Sequence, residues 1–128
     1  MNPDDNKYHK EHTWVKVDGK KGTVGITDYA QDSLGDIVYI DLPEVGSLVD
    51  ADHEISEIES TKATSSVISP VSGKIVKVNE ELAESPEIIN EDPYGKGWVV
   101  VIELDDPSEV DELMDSSDYE KYIEEESK

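Results

Sequence analysis

The chain has no cysteine, which excludes disulfide staples and thiolate metal sites and suits a reducing compartment. It also lacks arginine: all 11 basic residues are lysine, set against 32 acidic residues for a net charge of -21. Such a surface repels phosphate backbones and anionic lipid, so neither nucleic acid nor a membrane is expected as a partner. Long apolar runs are missing too. The longest, Trp98 to Ile102, falls far short of the ~20 residues that span a bilayer. Met1 to Asp5 is polar and acidic, the opposite of the basic start and apolar stretch of a secretory signal, so a cytoplasmic location is expected. No glycine-rich phosphate loop is present; Gly95 and Gly97 follow Pro93-Tyr94 and read as a turn before a strand. Nothing assembles a nucleophile, a base and an orienting group, so the chain is not expected to be an enzyme.

What is present is a dense acidic coat spread along the whole chain, resembling that of salt-adapted cytoplasmic proteins. The 128 residues fit a single domain, 1–128, with 1–6 and 124–128 expected to fray. Short strand-like runs alternate with turn signals. Thr13 to Val17 is closed by Asp18-Gly19, and Thr23 to Ile26 returns. Thr27 is an N-cap for a short helix over Asp28 to Leu34, stopped by Gly35. Ile37 to Leu42 reads as a strand with Val38, Ile40 and Leu42 on one face. Leu48-Val49, Ile55 to Ile58, Val67-Ile68 and Ile75-Val76 read as further strands, with Val45-Gly46 and Ser72-Gly73 as turns. Trp98 to Leu104 reads as a central strand. Asp106-Pro107-Ser108-Glu109 starts a helix carrying Val110, Leu113 and Met114, and Tyr119, Tyr122 and Ile123 mark a second one. The whole is mainly β, a two-layer sandwich or flattened barrel with a short internal helix and C-terminal helices.

Few residues stand out chemically. His9 and His12 have metal-compatible spacing but undiagnostic flanks; they read as exposed histidines near a terminus, His53 stands alone, and no metal is expected. Lys62 lies in a polar segment, Glu59 to Ser66, between two strands, which makes it part of a hairpin tip. Its neighbours Ser60, Thr61, Ala63, Thr64, Ser65 and Ser66 are small and leave the amine open to another protein's active site. Acylating a lysine amine removes its charge and turns the side chain into a tether. Position alone does not separate such a carrier lysine from an ordinary exposed one.

The run Glu59-Ser60-Thr61-Lys62-Ala63-Thr64-Ser65, followed by Ser69-Pro70-Val71-Ser72-Gly73 and Val78-Asn79, resembles the lipoylation segment of glycine cleavage H proteins. So do Gly25-Ile26-Thr27-Asp28-Tyr29-Ala30-Gln31 with Leu34-Gly35-Asp36, the turn Asp41-Leu42-Pro43-Glu44-Val45-Gly46, and Pro86-Glu87-Ile88-Ile89-Asn90 with Asp92-Pro93-Tyr94-Gly95 and Gly97-Trp98. The resemblance runs from about Tyr8 to Tyr122, and several blocks in order are more specific than any one. It implies a hammerhead-type lipoyl/biotinyl fold with lipoate in amide linkage to Lys62. It implies a shuttle that moves the aminomethyl group of glycine from the pyridoxal-phosphate glycine decarboxylase (P protein) to the tetrahydrofolate-dependent aminomethyltransferase (T protein). Dihydrolipoamide dehydrogenase (L protein) and a lipoylating enzyme complete the partners, and a monomer is expected. The absence of cysteine is compatible with a carried disulfide, since no protein thiol exchanges with it.

The resemblance also implies roles around the arm. The lipoylating enzyme would read Glu59 and Gly73, with Gly46 part of the same arrangement, both glycines serving tight turns. Ile26, Ala30, Leu34 and Ala63 match the apolar cleft that shelters the loaded arm, and Ile26 and Leu34 fit ordinary core equally well. Two departures matter. Thr13 stands in His12-Thr13-Trp14 where the family usually has an acid, and Ser66 stands where an acid is common. Those carboxylates would meet the amino group of the loaded arm; Glu11 is the expected substitute, with the Thr13 and Ser66 hydroxyls as acceptors. Three other readings share part of this pattern. A lipoyl domain of a 2-oxo-acid dehydrogenase complex would usually show D-K-A and lack the P-Y-G-x-G-W block. A biotin carrier would show methionines beside the lysine. An unmodified H-like binding or regulatory module is not separated by sequence.

Overall fold

A computed structural model describes residues 5–126. Nine strands form two antiparallel sheets. The first has the order β1 (Lys7–Tyr8), β2 (Thr13–Asp18), β3 (Lys21–Ile26), β9 (Val100–Leu104), β8 (Gly73–Val78) and β5 (Leu48–Val49). The second has the order β4 (Ile37–Asp41), β6 (Glu54–Ser60) and β7 (Thr64–Ile68). Both layers bury aliphatic residues in one shared core: Val15, Val24, Ile75, Val100 and Ile102 from the first, Ile37, Ile40, Ile58 and Val67 from the second. Nonpolar burial of this kind is the main favourable contribution to such a fold. A second cluster, Tyr8, Trp14 and Tyr119, pins the C-terminal helix α4 (Ser116–Glu126) against β1, with the two tyrosine rings stacked at 4.8 Å.

Local chemistry explains the elements nearest the tip. Helix α1 (Asp28–Leu34) starts where the Thr27 hydroxyl accepts a hydrogen bond from the Ala30 N–H at 3.2 Å. It stops at Gly35, whose φ of 79° suits a residue without a Cβ. β6 and β7 pair in register Glu57↔Ser66, Ile58↔Ser65 and Glu59↔Thr64, so the 59–66 segment is a hairpin. β9 lies between β3 and β8, central as its apolar run requires.

Several expectations need correction. Val38 does not share a face with Ile40. A bulge between Ile37 and Tyr39 inserts one residue in β4, so Ile37 and Ile40 are buried while Val38 and Tyr39 are both exposed. Gly73 is not a turn residue; it lies inside β8, paired with Val49 and Leu104. His9 is buried, not exposed: its Nδ1 accepts the Glu11 N–H at 3.0 Å and its Nε2 donates to Asp52 at 2.5 Å. His12 holds the Tyr119 hydroxyl at 2.8 Å and Glu126 at 2.8 Å. The helix after Asp106 is a short 3₁₀ helix, Pro107–Glu112, and Met114 lies beyond it, bridging back to Tyr8. At the ends expected to fray, Asn6 is buried and α4 continues to Glu126, while 1–4 and 127–128 lie outside the described residues. Helices α2 (Glu81–Glu84) and α3 (Ile88–Glu91) were not anticipated.

Candidate functional site

The β6–β7 connection is held by one side chain. The Ser60 hydroxyl accepts the backbone N–H groups of Lys62 (3.2 Å) and Ala63 (3.0 Å) and donates to the Ala63 carbonyl at 3.1 Å. The Ser60 N–H also donates to the Ala63 carbonyl at 2.8 Å. A serine hydroxyl of this kind substitutes for a backbone turn bond. The tip is therefore fixed although Thr61, Lys62 and Ala63 are all exposed. Lys62 is the one lysine between Lys21 and Lys74, and Glu57 and Glu59 on β6 and Asp36 on the α1–β4 connection are acidic and exposed.

The tip is tied to the α1–β4 connection. The Thr61 N–H donates to the Asp36 carbonyl at 3.0 Å. The Lys62 stem passes over Gly35: a Cβ built there would lie 3.1 Å from Lys62 Cε, so the glycine leaves room for the stem as well as supplying its φ. Asn90, from α3, braces this connection from below. Its amide donates to Gln31 Oε1 (2.9 Å) and to the Gly35 carbonyl (2.8 Å), and its Oδ1 accepts the Ile37 N–H at 2.9 Å. Three satisfied bonds at one half-buried amide make a rigid joint. A chain of hydrogen bonds thus runs from α3 through the loop to the residue before Lys62.

The remaining sequence candidates fall into three groups. Glu59, Lys62, Ala63 and Ser66 share the hairpin. Thr13 and Ile26 are cross-strand partners in β2 and β3, and the Thr13 hydroxyl donates to the Ile68 carbonyl at 2.8 Å, joining β2 to β7. Ile26 is 4% exposed and belongs to the core, whereas Ala30 and Leu34 are partly buried against that core and Ala63 is open. Glu11 is exposed beside a concavity of about 450 Å³ lined also by His9, Lys10, Asp52 and Ile68, and Ile68 is close to Ser66 along β7. A larger concavity of about 500 Å³ lies next to it, against Tyr8, Leu113 and Met114, and does not include Lys62. Gly46 and Gly73 form the third group, away from the hairpin. Gly46 turns the chain at φ 98° and donates its N–H to the Ile75 carbonyl at 2.7 Å, and Gly73 packs on β9.

Sequence reasoning missed Ser60 as the brace, Asn90 as the joint and Gly35 as the seat of the lysine stem. Asn90 stands in a quoted block, but its partners are 53 to 59 residues away in sequence. The Ser66 position offers another surprise. Its cross-strand partner is Glu57, so a carboxylate stands on the same exposed face where the acid expected at 66 is missing.

A family model described as glycine cleavage H-protein matches residues 6–126. A glycine cleavage system H protein of Carboxydothermus hydrogenoformans is 56% identical over 124 residues, 97% of this chain and 95% of that protein. A mitochondrial glycine cleavage system H protein of Arabidopsis thaliana is 55% identical over 122 residues, 95% of this chain and 78% of that one. The crystal structure of a glycine cleavage system H protein from Mycobacterium marinum superposes with a TM-score of 0.88 at 38% identity, covering 96% of this chain and 99% of the other.

Proposed function

This chain belongs to the glycine cleavage H-protein family, and on that footing we propose that Lys62 is the residue that carries its lipoyl arm. The protein is a non-catalytic shuttle of the glycine cleavage system, working between the glycine decarboxylase (P protein), the aminomethyltransferase (T protein) and dihydrolipoamide dehydrogenase (L protein), after a lipoylating enzyme has loaded it. When bound, lipoate supplies the disulfide on which the aminomethyl group of glycine is carried. The observation that carries the Lys62 assignment is the tip itself: an exposed amine among small side chains, on a turn fixed by Ser60 and tied to Asp36. Such a base stays put while a long arm swings. The amine attacks an activated lipoate carboxyl, an amide bond forms, the activating group leaves, and one amine proton is lost.

The other roles follow as parts of the same reading. Glu59 is the acid read on loading. Gly46 and Gly73 act indirectly, by shaping the β5–β8 edge and the packing of β8 on β9. Ala30, Leu34 and Ala63 line the resting place of the arm over the buried Ile26. Glu11 meets the amino group of the loaded arm, supported by its place at the concavity beside Ile68 and Thr13; Thr13 and Ser66 offer hydroxyls, and Glu57 is a second carboxylate on the Ser66 face. Glu11→Ala is expected to speed loss of the aminomethyl group to water, and an unchanged rate counts against this role. The whole chain acts as one carrier domain, as a monomer, in the cytoplasm; its cysteine-free, acidic composition supports that location, and among the described residues no helix is long and apolar enough to cross a membrane.

Intact mass of protein from its own cells is the direct test. One lipoyl adduct is expected on the wild type and none on Lys62→Arg. An adduct that persists in the variant, or glycine breakdown that survives it, overturns the assignment.

A further inference from the structure

The bulge in β4 does more than change a face. Val38 is 54% exposed and Tyr39 50% exposed, in a chain with few large apolar side chains at its surface. Among the described residues the Tyr39 hydroxyl has no hydrogen-bond partner. Tyr39 pairs directly with Glu59 across β4 and β6, and the next pair on the same face is Asp41 with Glu57, after the buried pair Ile40 with Ile58. Paired residues share a face, with side chains ~5 Å apart. The outer face of this three-stranded sheet therefore carries a tyrosine and three carboxylates leading up to the tip, and Ile37 pairs with Ser60, the brace of the tip itself. None of Asp41, Glu57 and Glu59 is in an ion pair among the described residues.

We propose that Val38 and Tyr39, rimmed by these acids, form the docking surface for the enzyme that acylates the bare Lys62 amine. The inference rests on Lys62 being the lipoylated residue. Reach selects this partner over the others. An enzyme that works on the finished arm can stand off by the arm's length. The enzyme that modifies the amine has no arm to use, so its own surface must close over the hairpin and over whatever lies beside it. Val38 and Tyr39 lie there, one strand away from Glu59. Charge sets the complementary chemistry: an apolar pocket for the tyrosine ring, rimmed by lysine or arginine. An aromatic anchor surrounded by a charged rim is a common form of protein–protein contact, and loss of such an anchor costs about tenfold or more in affinity.

The test measures lipoylation rates with a purified lipoate ligase supplied with lipoate and ATP, at fixed salt. Tyr39→Ala and Val38→Ser are expected to lower kcat/KM for lipoylation by about tenfold, mostly through KM, while Tyr39→Phe stays near the wild type. Leu48→Ser serves as control, since Leu48 is 82% exposed on β5 in the other sheet; its rate is expected to match the wild type. Each variant is then fully lipoylated by long incubation, and its reduction by dihydrolipoamide dehydrogenase and NADH is followed; this rate is expected to be unchanged. Wild-type lipoylation kinetics in Tyr39→Ala and Val38→Ser overturn the proposal. So does an equal loss in the reduction step, which would make the patch a general contact. Lys62→Arg is run alongside: an adduct appearing on it would remove the underlying assignment of Lys62, a result separate from any effect at Tyr39.

Discussion

At Gly73 the backbone of β8 runs so close to β9 that a built Cβ collides with the Glu103 carbonyl oxygen and sits 2.7 Å from the Ile102 Cγ2. Backbone does not yield as a flexible side chain does, so Gly73→Ala must push two central strands apart. The expected cost is on the order of 2 kcal/mol or more, seen as a lowered melting temperature. An alanine variant as stable as the wild type would show that the strands separate freely. Two tyrosines give a residue-scale pH effect. Burial pushes the Tyr94 hydroxyl up from 10.0 to about 12, its largest cause, while the Asp28 N–H donating to it works the other way. Burial likewise pushes up Tyr119, whose hydroxyl bonds Thr27 at 2.7 Å and His12 at 2.8 Å. A raised folded value means that these groups give their full stabilisation below pH 10 and lose it as the unfolded chain ionises first. Stability should therefore fall between pH 10 and about 12, and Tyr94→Phe should flatten that decline in melting temperature. A variant that follows the wild-type curve would assign the alkaline loss elsewhere.

Between elements, the joint that matters most to the tip is made by Asn90. Its amide ties α3 to the end of α1 and the start of β4, and the next peptide along holds Thr61. Asn90→Ala leaves the Gly35 carbonyl and the Ile37 N–H without their partner. A loss of about 1–3 kcal/mol in stability is expected, together with faster amide exchange at Ile37 and Thr61; unchanged exchange there would mean the tip is fixed by Ser60 alone. Elements with strong local signals were legible in the sequence. The Thr13 to Val17 run closed by the Asp18-Gly19 turn, the Thr27 cap and the apolar run ending in β9 each carry their structure within a few residues, although β2 is buried at Thr13 to Val15 and exposed beyond rather than alternating. The four-residue helices α2 and α3 carry no side-chain cap bond and span barely one turn, too short for an amphipathic repeat to show, so nothing local announced them. The bulge in β4 depends on how β6 packs, and alternation alone placed Val38 on the wrong side. The site divides the same way: Lys62 and Glu59 stand in a recognisable string, while Asn90 and Tyr39 gain their places from partners far along the chain.

For the molecule as a whole the dominant long-range force is self-repulsion. A net charge of -21 sits on 128 residues, and the described part offers one lysine–carboxylate pair, Lys16 with Asp5 at 3.6 Å, both exposed. Such a pair contributes little. Helix α4 concentrates the problem: its last turn is Glu124, Glu125 and Glu126, with no basic residue there to meet the carbonyl end of the helix dipole. His12 reaches Glu126 at 2.8 Å. Added salt removes the repulsion, because the screening length shrinks from ~30 Å at 0.01 M to ~10 Å at 0.1 M and ~3 Å at 1 M. The melting temperature is therefore expected to climb with potassium chloride, steeply below about 0.1 M where the screening length still exceeds the spacing of neighbouring carboxylates, and slowly above it. Hydrophobic strengthening by salt would behave differently, growing with concentration and depending on the anion. Replacing Glu124 and Glu125 by glutamine should reduce the steep low-salt part and leave the high-salt part alone. A melting temperature flat across the low-salt range would mean that the carboxylates are held far enough apart to ignore one another, and the acidic coat would then carry no cost for the fold to offset.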